Sequence, residues 1–266
     1  GGTTPDNRPY FVMEFVEGHQ IDSYCDTHKC GLAERVRLFV QVLSAVQYLH
    51  DNNVIHRDLK PSNILVDKHG HAKLLDFGIA KIQGIAGLPS TREMMGAGPT
   101  MMMTPGYASP EQIEGKPATR SSDIYSLGVI LYQILTGKAP FTTADNTPNL
   151  AAQLAGLEPP APSTNLIDIE KRTSQTVNQF RKRLVGDLDR IVLMSLRRDP
   201  ARRYASASQF GDDLNRFLNG DPVMAQADSP VYRASRLFGR NRSMLAVALL
   251  VLCLAGAGIW QGVRVY

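Results

Sequence analysis

Apolar and polar positions divide this chain into segments of distinct period. Residues 10–16, from Tyr10 to Val16, form an apolar β-type run closed by Glu17 and Gly18. Leu32, Val36, Phe39, Leu43, Val46 and Leu49 then recur at helical spacing and predict an amphipathic helix up to Asp51. Val54 and Ile55 make no more than a strand stub. Ile64 to Val66, a polar stretch from Asp67 to Gly70, and Ala72 to Leu75 predict a strand, a tight turn and a strand. Residues 83–106 are rich in Gly, Met, Thr and Pro without a period and read as a loop. Ile124 to Leu135 is apolar on nearly all sides, the pattern of a helix buried at the centre of a domain, with Gly137 as its stop. Residues 142–183 read as irregular, with Pro159, Pro160 and Pro162 blocking regular structure. Leu184, Leu188, Ile191, Val192 and Leu196 form another helical stripe. Ser206 is placed to cap a last helix carrying Phe210, Leu214, Phe217 and Leu218, ended by Gly220. The predicted fold class is α+β, mainly helical with short strands near the front.

The far end has a different pattern. From Met244 to Trp260 no charged residue occurs, and at about 1.5 Å per residue this run reaches roughly 25 Å, enough to predict a single transmembrane helix over 243–263. Arg233, Arg236, Arg240 and Arg242 precede it and Arg264 follows, so residues 1–242 are expected on the cytoplasmic side of a cell membrane. Trp260 and Tyr266 suit an interfacial belt, and Gly258 with Gly262 offers a GxxxG contact for a homodimer. The expected organisation is a folded domain over 1–218, a polar juxtamembrane linker over 219–242, and the membrane helix.

Composition narrows the class. With 43% hydrophobic and 20% charged residues the chain is expected to fold. Its three cysteines, Cys25, Cys30 and Cys253, make no disulfide scaffold and have no zinc spacing; Cys25 and Cys30 read as surface-turn residues without a role. The net charge of +4 comes largely from the arginines before the apolar run, so a nucleic-acid partner is not expected.

The chemistry is concentrated between the first helix and the strand pair, in His56-Arg57-Asp58-Leu59-Lys60-Pro61-Ser62-Asn63, followed after the second strand by Asp76-Phe77-Gly78. Two acids, an amide and a lysine are thereby set on loops at strand ends. Phosphoryl transfer needs an acid to orient the attacking hydroxyl, hard oxygen ligands for Mg²⁺, and a cation beside the transferring phosphate.

Together with Thr104-Pro105-Gly106-Tyr107-Ala108-Ser109-Pro110-Glu111, Asp123, Pro140-Phe141 and Asp199 to Arg203, these motifs resemble the protein kinases, specifically the eukaryotic-like (Hanks-type) serine/threonine kinases of bacteria, from Tyr10 to about Leu218. The resemblance implies a protein-kinase-like fold, mainly its helical C-lobe with the hinge and the last N-lobe strand or strands. It implies Asp58 as catalytic base, Lys60 on the transferring phosphate, and Asn63 and Asp76 as metal ligands. It implies Glu14 to Val16 as an adenine-binding hinge, Met13 as gatekeeper, Leu65 as the floor beneath the base, and Thr104 as a hydrogen-bond partner of the catalytic Asp and Lys. ATP and Mg²⁺ are the implied cofactors, and protein Ser/Thr hydroxyls the implied substrates. Glu111 and Arg203 are expected to pair, and Asp123 to hold the catalytic-loop backbone. Ser109 stands where the family usually has Ala. His56 reads as a packed core histidine. Asp22 has two readings, a ribose contact or a solvated turn acid.

The family's glycine-rich loop, strand lysine and helix glutamate precede the hinge, and only nine residues precede Tyr10 here. No Gly-x-Gly-x-x-Gly occurs anywhere. The expectation is an N-terminally truncated, inactive fragment of a membrane-anchored signalling kinase. Two rivals stand beside it. A membrane-bound pseudokinase scaffold has no chemical need for Asp58, Asn63 and Asp76 together. A small-molecule phosphotransferase has no need for the Thr104–Glu111 platform.

Overall fold

The computed structural model describes residues 2–6, 9–10, 12, 14–75, 105–143 and 147–226. At the front, β1 (Gly2–Thr3) pairs antiparallel with β2 (Pro9–Tyr10). The apolar run predicts a longer strand, but Glu14 to Glu17 have no strand pairing, and Val12 and Phe15 are 81% and 89% exposed. Apolar, β-branched residues hold a strand only when a neighbouring sheet covers them, and among the described residues only Gly2 and Thr3 offer a ladder.

β3 (Gly18–Gln20) leads directly into α1 (Ile21–Thr27), and a short turn then enters α2 (Leu32–Asp51). α2 is the predicted amphipathic helix, with Leu32, Val36, Phe39, Leu43 and Val46 at or below 1% exposure. β4 (Ile64–Asp67) and β5 (Ala72–Leu74) follow, and the sheet order is β3-β4-β5, antiparallel throughout. Val54 and Ile55 form no strand. Gly70 closes the β4–β5 turn with a positive φ of 78°. The period of two sends Ile64 and Val66 into the core and leaves Leu65 and Asp67 on the other face.

After α3 (Pro110–Ile113) comes α4 (Arg120–Thr136), the centre of the domain. It is buried from Ser122 to Tyr132 without interruption, as its all-round apolar sequence predicts, and Gly137 ends it at φ 95°. The 142–183 region, expected to be irregular, contains α5 (Leu150–Leu154), α6 (Ile169–Arg172) and α7 (Val177–Leu184). These helices are too short to show a period. They are held by caps, such as the reciprocal Thr176–Gln179 box, and by tertiary packing. The single stripe expected from Leu184 to Leu196 is broken at Gly186 (φ 98°), where α7 gives way to α8 (Asp187–Ser195). The last helix, α9 (Ala207–Asn219), starts at Ser206, whose hydroxyl accepts from the Gln209 N–H at 3.1 Å, and stops at Gly220. It lies along α2, with Phe210 edge-on to Phe39 and stacked on Tyr204.

Beyond α9 the chain stays on the domain. The fully buried Asp213 carboxylate accepts from the N–H groups of Met224 and Ala225 and from the Tyr204 hydroxyl. Among the described residues no helix is long and apolar enough to cross a membrane. Residues 243–263 lie outside the described residues.

One close approach sets the α4–α8 distance. A Cβ on Gly128 would lie 2.2 Å from Ser195 Oγ and 3.0 Å from its Cβ. Gly128→Ala is therefore expected to cost about 1–3 kcal/mol by overpacking. Chemical denaturation measures it, and Ser195→Gly in the same chain should restore part of the loss.

Candidate active site

The segment joining α2 to β4 has no regular structure up to residue 60 and is fixed from outside. Asp123, in the first turn of α4 and 1% exposed, directs both carboxylate oxygens at it. Oδ1 accepts from the Arg57 N–H at 2.9 Å, and Oδ2 from the His56 N–H at 2.9 Å. His50, in the last turn of α2, places its Nε2 2.8 Å from the same Oδ2. Such a carboxylate can hold a backbone in a costly conformation, and Arg57 indeed sits at φ 70°, a region that L-residues rarely occupy. From the other side Gln112 of α3 donates to the Arg57 carbonyl at 3.2 Å.

The result is a turn that presents Asp58, Lys60 and Asn63 together. Lys60 Nζ lies 2.9 Å from Asp58 Oδ2, and both side chains are 27% exposed. A half-buried pair of this kind, still reached by solvent, adds little stability; its significance is positional. Leu59 points inward at 2% exposure, which turns its neighbours outward. A 3₁₀ turn, Pro61–Asn63, follows. The Asn63 amide donates to the Asp58 carbonyl at 2.9 Å, so its nitrogen is committed to the loop and its oxygen is the atom left for a ligand role. Ser62 Oγ stands 3.5 Å from that oxygen.

Of the other predicted site residues, Leu65 lies on β4 opposite Gln20 of β3, on the sheet face away from the core. Glu14 is exposed and Val16 half-buried in the segment that leads into β3. Met13, Asp76 and Thr104 lie outside the described residues. The residue before Asp76 is nevertheless tied to this turn. The Leu75 N–H donates to the Asn63 carbonyl at 2.8 Å, and the Leu75 carbonyl lies 3.1 Å from His56 Nε2. His56 is fully buried, the packed histidine the sequence suggests. Among the described residues no cluster of three or more acidic, histidine or cysteine side chains could hold a metal.

A second group joins the α1 end of the site to α3. Tyr107 OH donates to Gln133 Oε1 at 2.7 Å, and Gln133 Nε2 donates to Asp22 Oδ2 at 3.2 Å. Asp22 is thus tied to α4 and is not simply a solvated turn acid. Burial pushes the Tyr107 hydroxyl above its ordinary range, partly offset by the Gln133 hydrogen bond. Residues 105–107, Pro105–Tyr107, form a 3₁₀ turn just before α3, and Gln153 of α5 donates to the Ala108 carbonyl at 2.6 Å. The expected Glu111–Arg203 pair is present, bidentate and buried.

Sequence reasoning missed His50, Gln112 and Gln133. His50 sits in an ordinary helical stripe, and its partner is 73 positions away, so no local pattern marks it. A groove of about 580 Å³ bordered by Tyr125, Leu157, Leu196 and Arg198 opens elsewhere, and Asp58, Lys60 and Asn63 take no part in its lining.

Residues 3–210 match the protein kinase domain family. The chain belongs to that family. The kinase domain is 34% identical over 220 residues to a probable serine/threonine-protein kinase of Streptomyces coelicolor, covering 82% of this chain and 30% of the relative. It is 34% identical over 218 residues to the serine/threonine-protein kinase PknB of Mycobacterium tuberculosis, covering 82% and 32%. To the serine/threonine-protein kinase PrkC of Bacillus subtilis it is 33% identical over 217 residues, covering 81% and 30%. The chain therefore spans about 30% of the length of these curated relatives. The Hanks-type resemblance and the helical kinase-like fold agree with these matches.

Proposed function

We propose that this kinase domain serves a serine/threonine protein kinase that transfers the ATP γ-phosphate to protein hydroxyls at the cytoplasmic face of a membrane. The observation that carries the reading is the turn holding Asp58, Lys60 and Asn63 together against Asp123. The donor set fits the implied cofactors. Asn63 keeps its amide oxygen for a ligand role, and Leu75, the residue that precedes Asp76 in the sequence, is bonded to the Asn63 carbonyl. Asn63 and Asp76 are assigned to Mg²⁺, and Glu14, Val16 and Leu65 with Met13 to the adenine. Bound ATP supplies the phosphoryl group, and Mg²⁺ offsets its charge.

The chain's own part is positional. Asp58 Oδ1 accepts the hydrogen bond of the substrate hydroxyl and takes its proton. Lys60, paired with Oδ2, keeps the carboxylate oriented and brings a positive charge to the transferred group. Thr104 is assigned as a further hydrogen-bond partner of this pair. Incubating the full-length protein with radiolabelled ATP and a protein acceptor tests the reading. Phosphoserine and phosphothreonine are expected, without phosphotyrosine. Transfer only to an aminoglycoside or sugar would refute it.

The 266 residues contain no Gly-x-Gly-x-x-Gly, so this chain by itself is expected to bind ATP weakly and to be inactive. Calorimetry should show no saturation below about 1 mM ATP, and micromolar binding would refute the expectation. Residues 243–263 are proposed as the membrane anchor and the Gly258–Gly262 pair as a homodimer contact. Release of the protein from membranes by alkaline carbonate would count against the anchor.

A further inference from the structure

Cys25 and Cys30 read in the sequence as surface-turn residues without a role, yet both are buried, at 0% and 1% exposure. Burial here depends on distant residues. Arg35 of α2, itself fully buried, donates from Nε to the Cys30 carbonyl at 3.0 Å and from Nη2 to the Cys25 carbonyl at 3.1 Å. Arg35 also reaches the Ile134 carbonyl of α4, the Arg172 carbonyl of α6 and the Asp26 carboxylate. The Cys30 N–H closes back on the Cys25 carbonyl at 2.8 Å, with Lys29 between them in the left-handed region at φ 49°. One guanidinium thus pins the backbones of both cysteines, and the bond from the Cys30 N–H to the Cys25 carbonyl holds the two residues side by side in the same core. A disulfide joins residues whose Cα atoms are about 4.4–6.8 Å apart, a separation compatible with one backbone hydrogen bond between them.

We propose that Cys25 and Cys30 form a reversible dithiol–disulfide couple that covalently closes the turn between α1 and α2. The oxidant class is a low-molecular-weight disulfide. Cys30, as thiolate, attacks one sulfur of the reagent to form a mixed disulfide and expels one thiolate. Cys25 loses its proton and attacks the Cys30 sulfur, forming the Cys25–Cys30 bond and expelling the second thiolate. Two protein thiols and one disulfide become one protein disulfide and two small thiols. The asymmetry of the pair suits this order. The hydrogen bond from Cys25 pulls the Cys30 thiol below its ordinary range, whereas that same bond, followed by burial, pushes Cys25 up. Entry of the reagent is through the exposed turn at Thr27, His28 and Lys29. The bond would fix the far end of α1, the helix that continues directly from β3 and carries Asp22 in its first turn.

The sequence supplies its own assay. Lys29 lies between the cysteines, so trypsin separates them unless a disulfide joins them. The full chain is incubated natively with oxidised glutathione, blocked with N-ethylmaleimide in denaturant, and digested. The expected product is one linked species that dithiothreitol resolves into two peptides, with free thiols falling from three to one. Cys253→Ser should preserve the linkage, and Cys30→Ser should abolish it. The proposal is overturned if both cysteines are alkylated separately after oxidation, if they stop at glutathione adducts, if the linkage runs to Cys253, or if it forms only in denaturant.

Discussion

Replacing Asp58 by Asn in the full-length protein is expected to lower the phosphate-transfer rate by about 10²–10⁴-fold, the usual contribution of a positioned acid or base. The substitution keeps shape and removes charge, so the turn itself should survive. Asn63 bonds the Asp58 carbonyl, not its side chain, and Asp123 grips the loop through the backbone of His56 and Arg57. The fold should therefore melt within a degree or two of the unaltered protein, as expected for a surface change. The affinity for ATP should change little, since the hydroxyl acceptor is not assigned to the nucleotide. Single-turnover rates together with ATP binding measure both quantities. A variant that keeps more than a tenth of the rate would remove Asp58 from the chemistry and favour a scaffold.

What could be read in the sequence follows how local each cause is. α2 and α9 were legible because their apolar faces repeat over many turns, and Ser206 and Gly220 mark the ends of α9. β4 and β5 were legible because the polar turn from Asp67 to Gly70 separates two short, mainly apolar runs. The Asp58–Asn63 block was legible because its members are adjacent in the chain. The short helices between 150 and 184 were not, since each owes its shape to caps and neighbours rather than to a period. The burial of Cys25 and Cys30 was hidden for the same reason. It rests on Arg35, Ile134 and Arg172, which are far apart in sequence. The strand expected from Tyr10 to Val16 fails in the opposite sense. Its local preference is clear, but the described residues provide no partner beyond β1. The site is legible in its residue types and illegible in its support, because His50, Gln112 and Gln133 act through partners that no spacing rule reaches.

That support leads to the largest expected effect on stability. Arg203 uses every N–H it has: Nε on the Arg197 carbonyl, Nη1 on Glu111 Oε1 and the Ser121 carbonyl, and Nη2 on Glu111 Oε2 and the Arg198 carbonyl, all within 2.9 Å. Its guanidinium also lies 4.9 Å from the centroid of the Tyr125 ring. Arg203→Met would strand the Glu111 carboxylate and leave three carbonyls short of a partner. Removing one member of a buried pair costs about 3–5 kcal/mol, and chemical denaturation should show a loss of that size. A loss below about 1 kcal/mol would mean that water replaces the guanidinium at little cost. The pair also sets a pH dependence. Burial pushes the Glu111 carboxyl up, but the hydrogen bonds and charge of Arg203, its own backbone N–H and the Ser122 hydroxyl together outweigh that and hold it below the ordinary glutamate range. A lowered carboxyl stabilises the fold above its unfolded value, and that contribution fades as pH falls below about 4.3 toward the folded value. Arg203→Met should flatten this acid limb. Glu111 and Gln112 are neighbours on α3, one held by Arg203 and the other bonded to the Arg57 carbonyl. Loosening the first should therefore loosen the turn that carries Asp58, so the Arg203 variant is expected to lose activity at temperatures where it is still folded.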